Sequence, residues 1–473
     1  MDMGQHVTLT PDRWTPQGEA EGRFRGHPVR VWGGIPGEVA EIKLVTPGER
    51  AHLATWQRAD APDPRRVMPR CDRYHICGGC PLMHLDAAGQ HAAQRSMVLD
   101  ALREDGLSDV IVRPVTPCPS GDEDYRHEIK LGVGWSEQGA LRVGALGKRS
   151  RTIVPIPRCH VVAPILRFLM GTVAHHVRDL DLRPYDPERD TGVLRAVVLR
   201  ASRSTGEVLV TIVAGKRIKQ LDALAEAIAS AAREVVGVLL HVNDTTGVAL
   251  YMRDPDGTIP VSVISGRAWV EDSLNGLTSH IGPEDLFPSN PAMAEVVYRE
   301  TIDGLDLRPS EPVLDLFAGV GGYALPAARI TGWALGVEAV EGAVTAAREA
   351  AKRNNVPAEF LVGSAETLMP TLLARLGDAR PVMVVNAGRK GLEPAAGQGI
   401  LALRPRRMAY ISSNPRAMAH DLRRLREAGL EIGPVHLYDS FPHTAHVEAS
   451  VILRAPDAEG FVRRAPRRTR TGA

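Results

Sequence analysis

The chain has 473 residues, more than one ordinary core holds, and roughly 100–200 residues per domain sets an expectation of about three domains. Its 57 basic and 56 acidic residues nearly cancel, which excludes a global positive excess as the means of holding nucleic acid; any such surface must be local. Aromatic residues at 4% argue against a single-strand-binding sheet as the main activity, and no apolar run approaches the roughly 20 residues of a membrane span. The opening MDMGQHVTLTPDRW lacks the charged-then-apolar layout of a signal peptide, so a cytoplasmic protein with no membrane partner is expected.

From Val7 to Ala59, apolar and polar positions alternate in short runs broken by glycine and proline, as in Val29-Arg30-Val31-Trp32 and Val39-Ala40-Glu41-Ile42-Lys43-Leu44. This predicts a small antiparallel barrel over 1–62. The Gly34-Ile35-Pro36-Gly37-Glu38-Val39 turn resembles that of TRAM domains, which are RNA-binding barrels; a generic barrel of the same shape is the alternative. The segment Pro62-Asp63-Pro64-Arg65-Arg66-Val67-Met68-Pro69 reads as a linker.

An α+β middle domain whose strands pair antiparallel is expected over 70–283, with a helix at 82–105, strands such as 194–200 and 207–213, and an alanine-rich helix at 223–234. Lys148, Arg149 and Arg151 form one basic run that could meet RNA. Cys71-x5-Cys77-x2-Cys80, completed by Cys159 after the strand-like Thr152–Ile156, supplies four thiols from one region. In a cytoplasmic chain such a set is tested against a metal before a disulfide framework. Thiolate quartets suit tetrahedral zinc or an iron-sulfur cluster, and four unrelated buried cysteines are the third reading. Cys118 is left over and reads as a small buried residue.

From 284 to 458 the rhythm is that of a doubly wound α/β domain. The strand Val313–Phe317 leads through a glycine turn into the helix 324–329, then the strand Ala334–Glu338 and the helix 343–354. Later strands are placed at 382–385, 407–412 and 448–453. A basic tail at 459–473 carries Arg463, Arg464, Arg467, Arg468 and Arg470, either solvated or in contact with phosphates.

Asp315-Leu316-Phe317-Ala318-Gly319-Val320-Gly321-Gly322 lies where a strand gives way to a helix, the crevice in which open α/β sheets bind ligands. Gly319 and Gly321 permit a tight turn and a close backbone approach, and Glu338 ends the next strand, where such folds hold a ribose hydroxyl. By itself this pattern also suits a dinucleotide.

Near the end stand Tyr410-Ile411-Ser412-Ser413-Asn414-Pro415 and Phe441-Pro442-His443-Thr444-Ala445-His446-Val447-Glu448. Together with the turn at Asp315 they resemble the RNA uracil-5 methyltransferases, and the cysteine spacing with Gly78-Gly79 resembles the ribosomal-RNA branch of that family. The resemblance spans nearly the whole chain. It implies a TRAM-like barrel, an iron-sulfur middle domain and a C-terminal class I, Rossmann-like methyltransferase domain. It also implies S-adenosylmethionine held by Asp315, Phe317, Gly319, Gly321, Glu338 and Asn386, and a [4Fe-4S] cluster, with zinc as the alternative, on Cys71, Cys77, Cys80 and Cys159. The implied partner is RNA, ribosomal in preference to transfer RNA, and a monomer is expected.

Three positions depart from the family pattern. Ser413 stands where the family has the cysteine whose thiolate adds to carbon 6 of uracil, and a hydroxyl needs a positioned base to do the same. Pro288, in Leu286-Phe287-Pro288-Ser289-Asn290, stands in place of a glutamine, and Asn386, in Asn386-Ala387-Gly388-Arg389-Lys390-Gly391, in place of an aspartate. Glu448 occupies the place of the general base, and His443 or His446 is a conceivable activator of Ser413. Three readings stay open: an RNA methyltransferase acting on another atom or base, an RNA-binding paralogue without turnover, and a uracil-5 methyltransferase in which Ser413 is tolerated or Cys118 substitutes.

Overall fold

The computed structural model describes residues 4–456 apart from 137, 248 and 255–257; the expected basic tail lies outside the described residues. No helix among these residues is long and apolar enough to cross a membrane.

The N-terminal sheet has six strands, His6–Leu9, Arg13–Trp14, Ala20–Phe24, His27–Trp32, Ala40–Thr46 and His52–Arg58, in the spatial order first, fifth, sixth, fourth, third, second. Alternation does the sorting: Val29, Val31, Ile42 and Leu44 are fully buried while their chain neighbours face outward. One pair departs from the expected antiparallel barrel. The sixth strand inserts between the fourth and fifth, which run oppositely, so it pairs antiparallel with the fifth and parallel with the fourth. The linker is docked as well, with Val67 N–H on His84 O at 2.9 Å and Arg66 ion-paired to buried Glu38.

A seven-stranded middle sheet runs from Ile153–Val154 through Leu141–Leu146, Glu128–Trp135, Leu194–Ala201, Val208–Ala214 and Val235–Val242 to Ser262–Gly266. Val208–Ala214 is buried along its whole length. The helices Pro164–Asp179 and Lys219–Ala231 cover one face of this sheet, on Val208, Val210 and Ile212, while Leu209 and Leu239 on the other pack with Val270 and Ile281; burial on both faces explains the continuous apolar runs of these strands. The all-antiparallel expectation fails at one pair: Val208–Ala214 and Val235–Val242 are parallel, because the helix Lys219–Ala231 carries the chain back over the sheet.

The C-terminal sheet has eight strands in the order Ala358–Val362, Ala334–Glu338, Val313–Leu316, Val382–Asn386, Arg407–Ser412, Glu448–Arg454, Glu431–Tyr438 and Val112–Thr116. The first five are parallel, and Glu448–Arg454 enters antiparallel to both neighbours. This layout brings the ends of Val313–Leu316, Val382–Asn386 and Arg407–Ser412 to one rim, together with the start of Glu448–Arg454.

One segment that sequence places in the middle domain packs with this sheet instead. Val112–Thr116 is its edge strand, parallel to Glu431–Tyr438, and the helix Ala87–Glu104 sets Val98, Ala101 and Leu102 into the same core. The hairpin Val270–Leu274/Leu277–Ile281 bridges the two sheets: Val270 and Ile281 share a core with Leu209 and Leu239 of the middle sheet, and the Thr278 N–H meets Asn354 Oδ1, at the end of the helix Glu341–Arg353, at 3.0 Å. The helix at 87–104 starts later than the expected residue 82 because Asp86 caps it, accepting the Gly89 N–H at 2.7 Å, while Leu82–Leu85 form a turn.

Leu102→Ala empties a site that is 1% exposed and is expected to cost about 2–5 kcal/mol. In urea unfolding the loss should fall on the transition that S-adenosylhomocysteine shifts; a loss confined to another transition would contradict the assignment of this helix to the C-terminal core.

Candidate active site and cysteine cavity

Asp315 is fully buried at the end of its strand; Oδ2 accepts the Ala324 N–H at 2.9 Å, while Oδ1 has no partner among the described residues. Burial, with Glu338 nearby, pushes its carboxyl up to about 8. Glu338 ends the next strand and accepts the Gly319 N–H at 3.0 Å and the Val340 N–H at 2.9 Å, so it holds the glycine turn against the strand tips. Phe317, Gly319 and Gly321 all have positive φ, at 67°, 53° and 90°. A Cβ on Gly319 would meet no atom within 4 Å, so the backbone there borders open space, whereas a Cβ on Gly322 would lie 2.9 Å from the Tyr298 ring. An orphaned carboxylate oxygen beside an open glycine turn fits a ligand with cationic and hydroxyl groups, as S-adenosylmethionine has. Asn386 ends the adjacent strand and is half-buried.

Glu448 begins its strand with Ser440 Oγ donating to Oε2 at 3.1 Å, and burial raises its pKa. Near both Asp315 and Glu448 sit two tyrosines, the half-buried Tyr298 and the buried Tyr323, with ring centroids 4.5 Å apart. Asn290 caps the helix Pro291–Gly304 and donates from Nδ2 to Ser440 O at 2.9 Å, steadying the residue that holds Glu448. The same amide approaches Cys118 Sγ at 3.2 Å, in keeping with Cys118 as a buried packing residue.

Ser413 is exposed just past the strand Arg407–Ser412. It lines a cleft of about 1130 Å³ between the barrel, the helix Ala87–Glu104 and the C-terminal domain. Seven arginines against four carboxylates border this cleft, Arg13, Arg30 and Arg149 on one side and Arg389 and Arg416 on the other. This is the local positive surface that a near-neutral chain needs for a polyanion. The loop bearing Arg389 is pinned from both ends: Asn414 Nδ2 donates to Arg389 O at 2.7 Å, and buried Asp421 accepts the Leu392 N–H at 2.7 Å.

The two histidines part company. His443, buried and with φ 70°, has Gln90 Nε2 3.1 Å from Nδ1, and Arg70 and Asp122 at 3.0 and 3.3 Å from Nε2. Both ring nitrogens are committed, so His443 is not free to activate Ser413. His446 borders the cleft with Ser413. Sequence reasoning missed Ser440, Tyr298 and Tyr323, which carry no spacing signal, and also Gln90 and Gln94, whose i,i+4 polar pair beside Ala93, Met97 and Ala101 was a readable sign.

Cys71, Cys77, Cys80 and Cys159 line one cavity of about 440 Å³, with Arg126, Phe441 and His446 on its far wall. Burial, then mutual proximity, raises the thiols of Cys80 and Cys159. No three of the four sulfurs lie within 4.8 Å of one another; among the described residues only His175, His176 and Asp179, on a partly exposed helix, form such a set. Four thiolates on one tetrahedral zinc would lie about 3.8 Å apart, given Zn–S near 2.3 Å.

Comparison with known proteins places this geometry. The family model for tRNA (uracil-5-)-methyltransferase matches residues 288–456. An uncharacterized RNA methyltransferase of Bacillus cereus is 31% identical over 456 residues, covering 96% of this chain and 97% of the relative. The chain belongs to the RNA uracil-5 methyltransferase family. It is a class I S-adenosylmethionine-dependent RNA methyltransferase. Another relative in the family, an uncharacterized RNA methyltransferase of Synechocystis, is 31% identical with 96% of both chains covered. The fold of the Pyrococcus abyssi tRNA (uracil-54, C5)-methyltransferase, solved with S-adenosyl-L-homocysteine, superposes with a TM-score of 0.72 over 94% of this chain and 100% of that one, at 23% identity.

Asp315 supplies a pH test. Its raised pKa means that between about pH 4 and about pH 8 the unfolded chain gives up a proton that the native state keeps, so this group's contribution to stability falls as pH rises. Asp315→Asn is expected to stabilise the donor-free protein at pH 8 by about 1–3 kcal/mol and to weaken S-adenosylmethionine at least tenfold. Urea unfolding and calorimetric titration check the two halves; unchanged donor affinity would remove Asp315 from the site.

Proposed function

We propose that this chain methylates ribosomal RNA from S-adenosylmethionine at an atom that needs no covalent activation, such as a base nitrogen. The observation that carries the reading is which residues keep the family pattern. The donor-side motif Asp315, Gly319, Gly321 and Glu338 keeps it, as does Glu448 at the start of the adjoining antiparallel strand, while the departures Ser413, Pro288 and Asn386 fall at positions that the resemblance sets against the nucleotide.

In this reading Asp315 and Glu338 hold the donor's charged and hydroxyl groups, Phe317 and Asn386 border it, and the glycine turn lets the backbone approach. The donor supplies an electrophilic methyl group. The target N–H gives its proton to Glu448 as the nitrogen takes that methyl, and burial of Glu448 keeps it basic enough to accept. Ser413, exposed and hydroxylic, orients the base by a hydrogen bond and does not add to it. The TRAM-like barrel and the arginine-lined cleft hold the RNA.

The cysteine quartet fits a [4Fe-4S] cluster better than a single zinc, because the sulfurs ring a cavity and are spaced too widely for one tetrahedral ion. Such a cluster would be structural. Its spacing is also what supports ribosomal over transfer RNA. The same three departures favour, as second reading, an RNA-binding paralogue without turnover.

Radioactive methyl transfer to ribosomal and transfer RNA, followed by nucleoside mass spectrometry, tests these readings. Wild type is expected to label ribosomal RNA without forming 5-methyluridine, and Glu448→Gln to lose about 100-fold or more of the rate. Ser413→Cys is expected to gain 5-methyluridine at least 100-fold above wild type. Wild type forming 5-methyluridine as fast as the cysteine variant would end this reading, and no transfer at all would favour the paralogue.

A further inference from the structure

Beside the active-site cleft lies a second opening, a groove of about 740 Å³ running over the cysteine loop. Gly78, Gly79, Lys130, Leu146, Arg149 and Arg151 are among its lining residues, and none of the lining side chains is acidic. Arg149 borders both this groove and the cleft of Ser413, so the two adjoin at this side chain.

The floor of the groove is built by strapping the cysteine loop onto a hairpin. Lys148 N–H donates to Ile76 O at 2.9 Å, Gly78 N–H reaches Leu146 O at 3.3 Å, and Cys77 pairs with Gly147 in an isolated antiparallel bridge. The approach is so close that a Cβ on Gly78 would sit 3.3 Å from Gly147 O, which leaves a low backbone floor.

The basic run on this hairpin divides its labour. Lys148 lies over the Trp32 ring at 5.1 Å and Arg149 is ion-paired to buried Glu19, so both dock the barrel. Arg151 is exposed. Lys130 is 59% exposed and only loosely paired, at 3.6 Å from Glu128, whose other oxygen is taken by Arg200 at 2.6 Å. Leu146, 60% exposed, offers an apolar face beside these two cations.

We propose that this groove is a second RNA-binding surface, which takes the phosphates of a single strand leaving the Ser413 cleft. The proposal rests on the RNA methyltransferase assignment. Two solvent-exposed cations along a floor without carboxylates suit successive phosphates, and the exposed leucine suits an unstacked base. Because the groove adjoins the cleft at Arg149, a strand leaving the cleft reaches it, which makes the same RNA strand the occupant.

The test is length-dependent binding of labelled oligouridylate of ~8 and ~20 nucleotides to the intact protein. Wild type is expected to bind the longer oligomer about 10-fold more tightly. In the double variant Lys130→Glu/Arg151→Glu that advantage should vanish, the short oligomer should bind as before, and the salt slope for the long one should fall by about 1.4, two phosphates at ~0.7 each. Retained S-adenosylmethionine affinity shows that the variant is folded. Unchanged length dependence in the folded variant overturns the groove alone, whereas a wild type that binds neither oligomer overturns the RNA reading with it.

Discussion

Two buried amides on one helix tie the start of the chain to its catalytic end. Gln94, fully buried, donates from Nε2 to Asp439 Oδ1 at 2.8 Å and to Thr444 O at 3.1 Å. Gln90 accepts the His443 N–H at 2.7 Å and donates to Leu85 O at 2.8 Å. The turn from Asp439 to Ala445 is irregular backbone in a largely buried place, and its polar groups have to be satisfied from outside. Leaving any of them unpaired costs about 1–3 kcal/mol, so the geometry of the strand that begins at Glu448 depends on a helix more than 340 residues away in sequence.

That constraint explains why the C-terminal domain borrows a helix and an edge strand from the region preceding the middle sheet. Glu448–Arg454 enters antiparallel beside the last parallel strand, and its partner Glu431–Tyr438 would be an open edge without Val112–Thr116. The helix Ala87–Glu104 covers the same core while presenting its glutamines to the catalytic turn. Stability of the core and placement of the base are therefore one arrangement.

The barrel is coupled to the same body through the cysteine loop. Tyr74, between Cys71 and Cys77, packs on Trp32 with ring centroids 5.7 Å apart and meets His84 Nδ1 through its hydroxyl at 2.9 Å. His84 Nε2 in turn lies 3.1 Å from Gly34 O, in the barrel's glycine turn. A group bound by the cysteines would fix this loop, and with it the wall of the cleft that carries Arg13 and Arg30.

The amino-acid sequence determined the local rules: which runs alternate, where strands meet glycine turns, and which side chains could hold a donor, a metal or a proton. The strands Ala334–Glu338 and Arg407–Ser412 were legible to the residue because apolar runs and their breakers are local. The place of Asp315, Gly319 and Gly321 at a strand-to-helix turn was legible for the same reason, whereas Cys159 reaches the cavity of Cys71, Cys77 and Cys80 from far along the chain. Tertiary structure alone decided that two strand pairs expected to be antiparallel run parallel, that residues 87–116 pack with the C-terminal sheet while 270–281 bridge it to the middle one, and that His443 is spent on structure while His446 faces the cleft. It also decided that Lys148 and Arg149 meet the barrel, at Trp32 and Glu19, while Arg149 still borders the cleft. Those outcomes depend on which surfaces meet across hundreds of residues, and no periodicity within a segment encodes its partner.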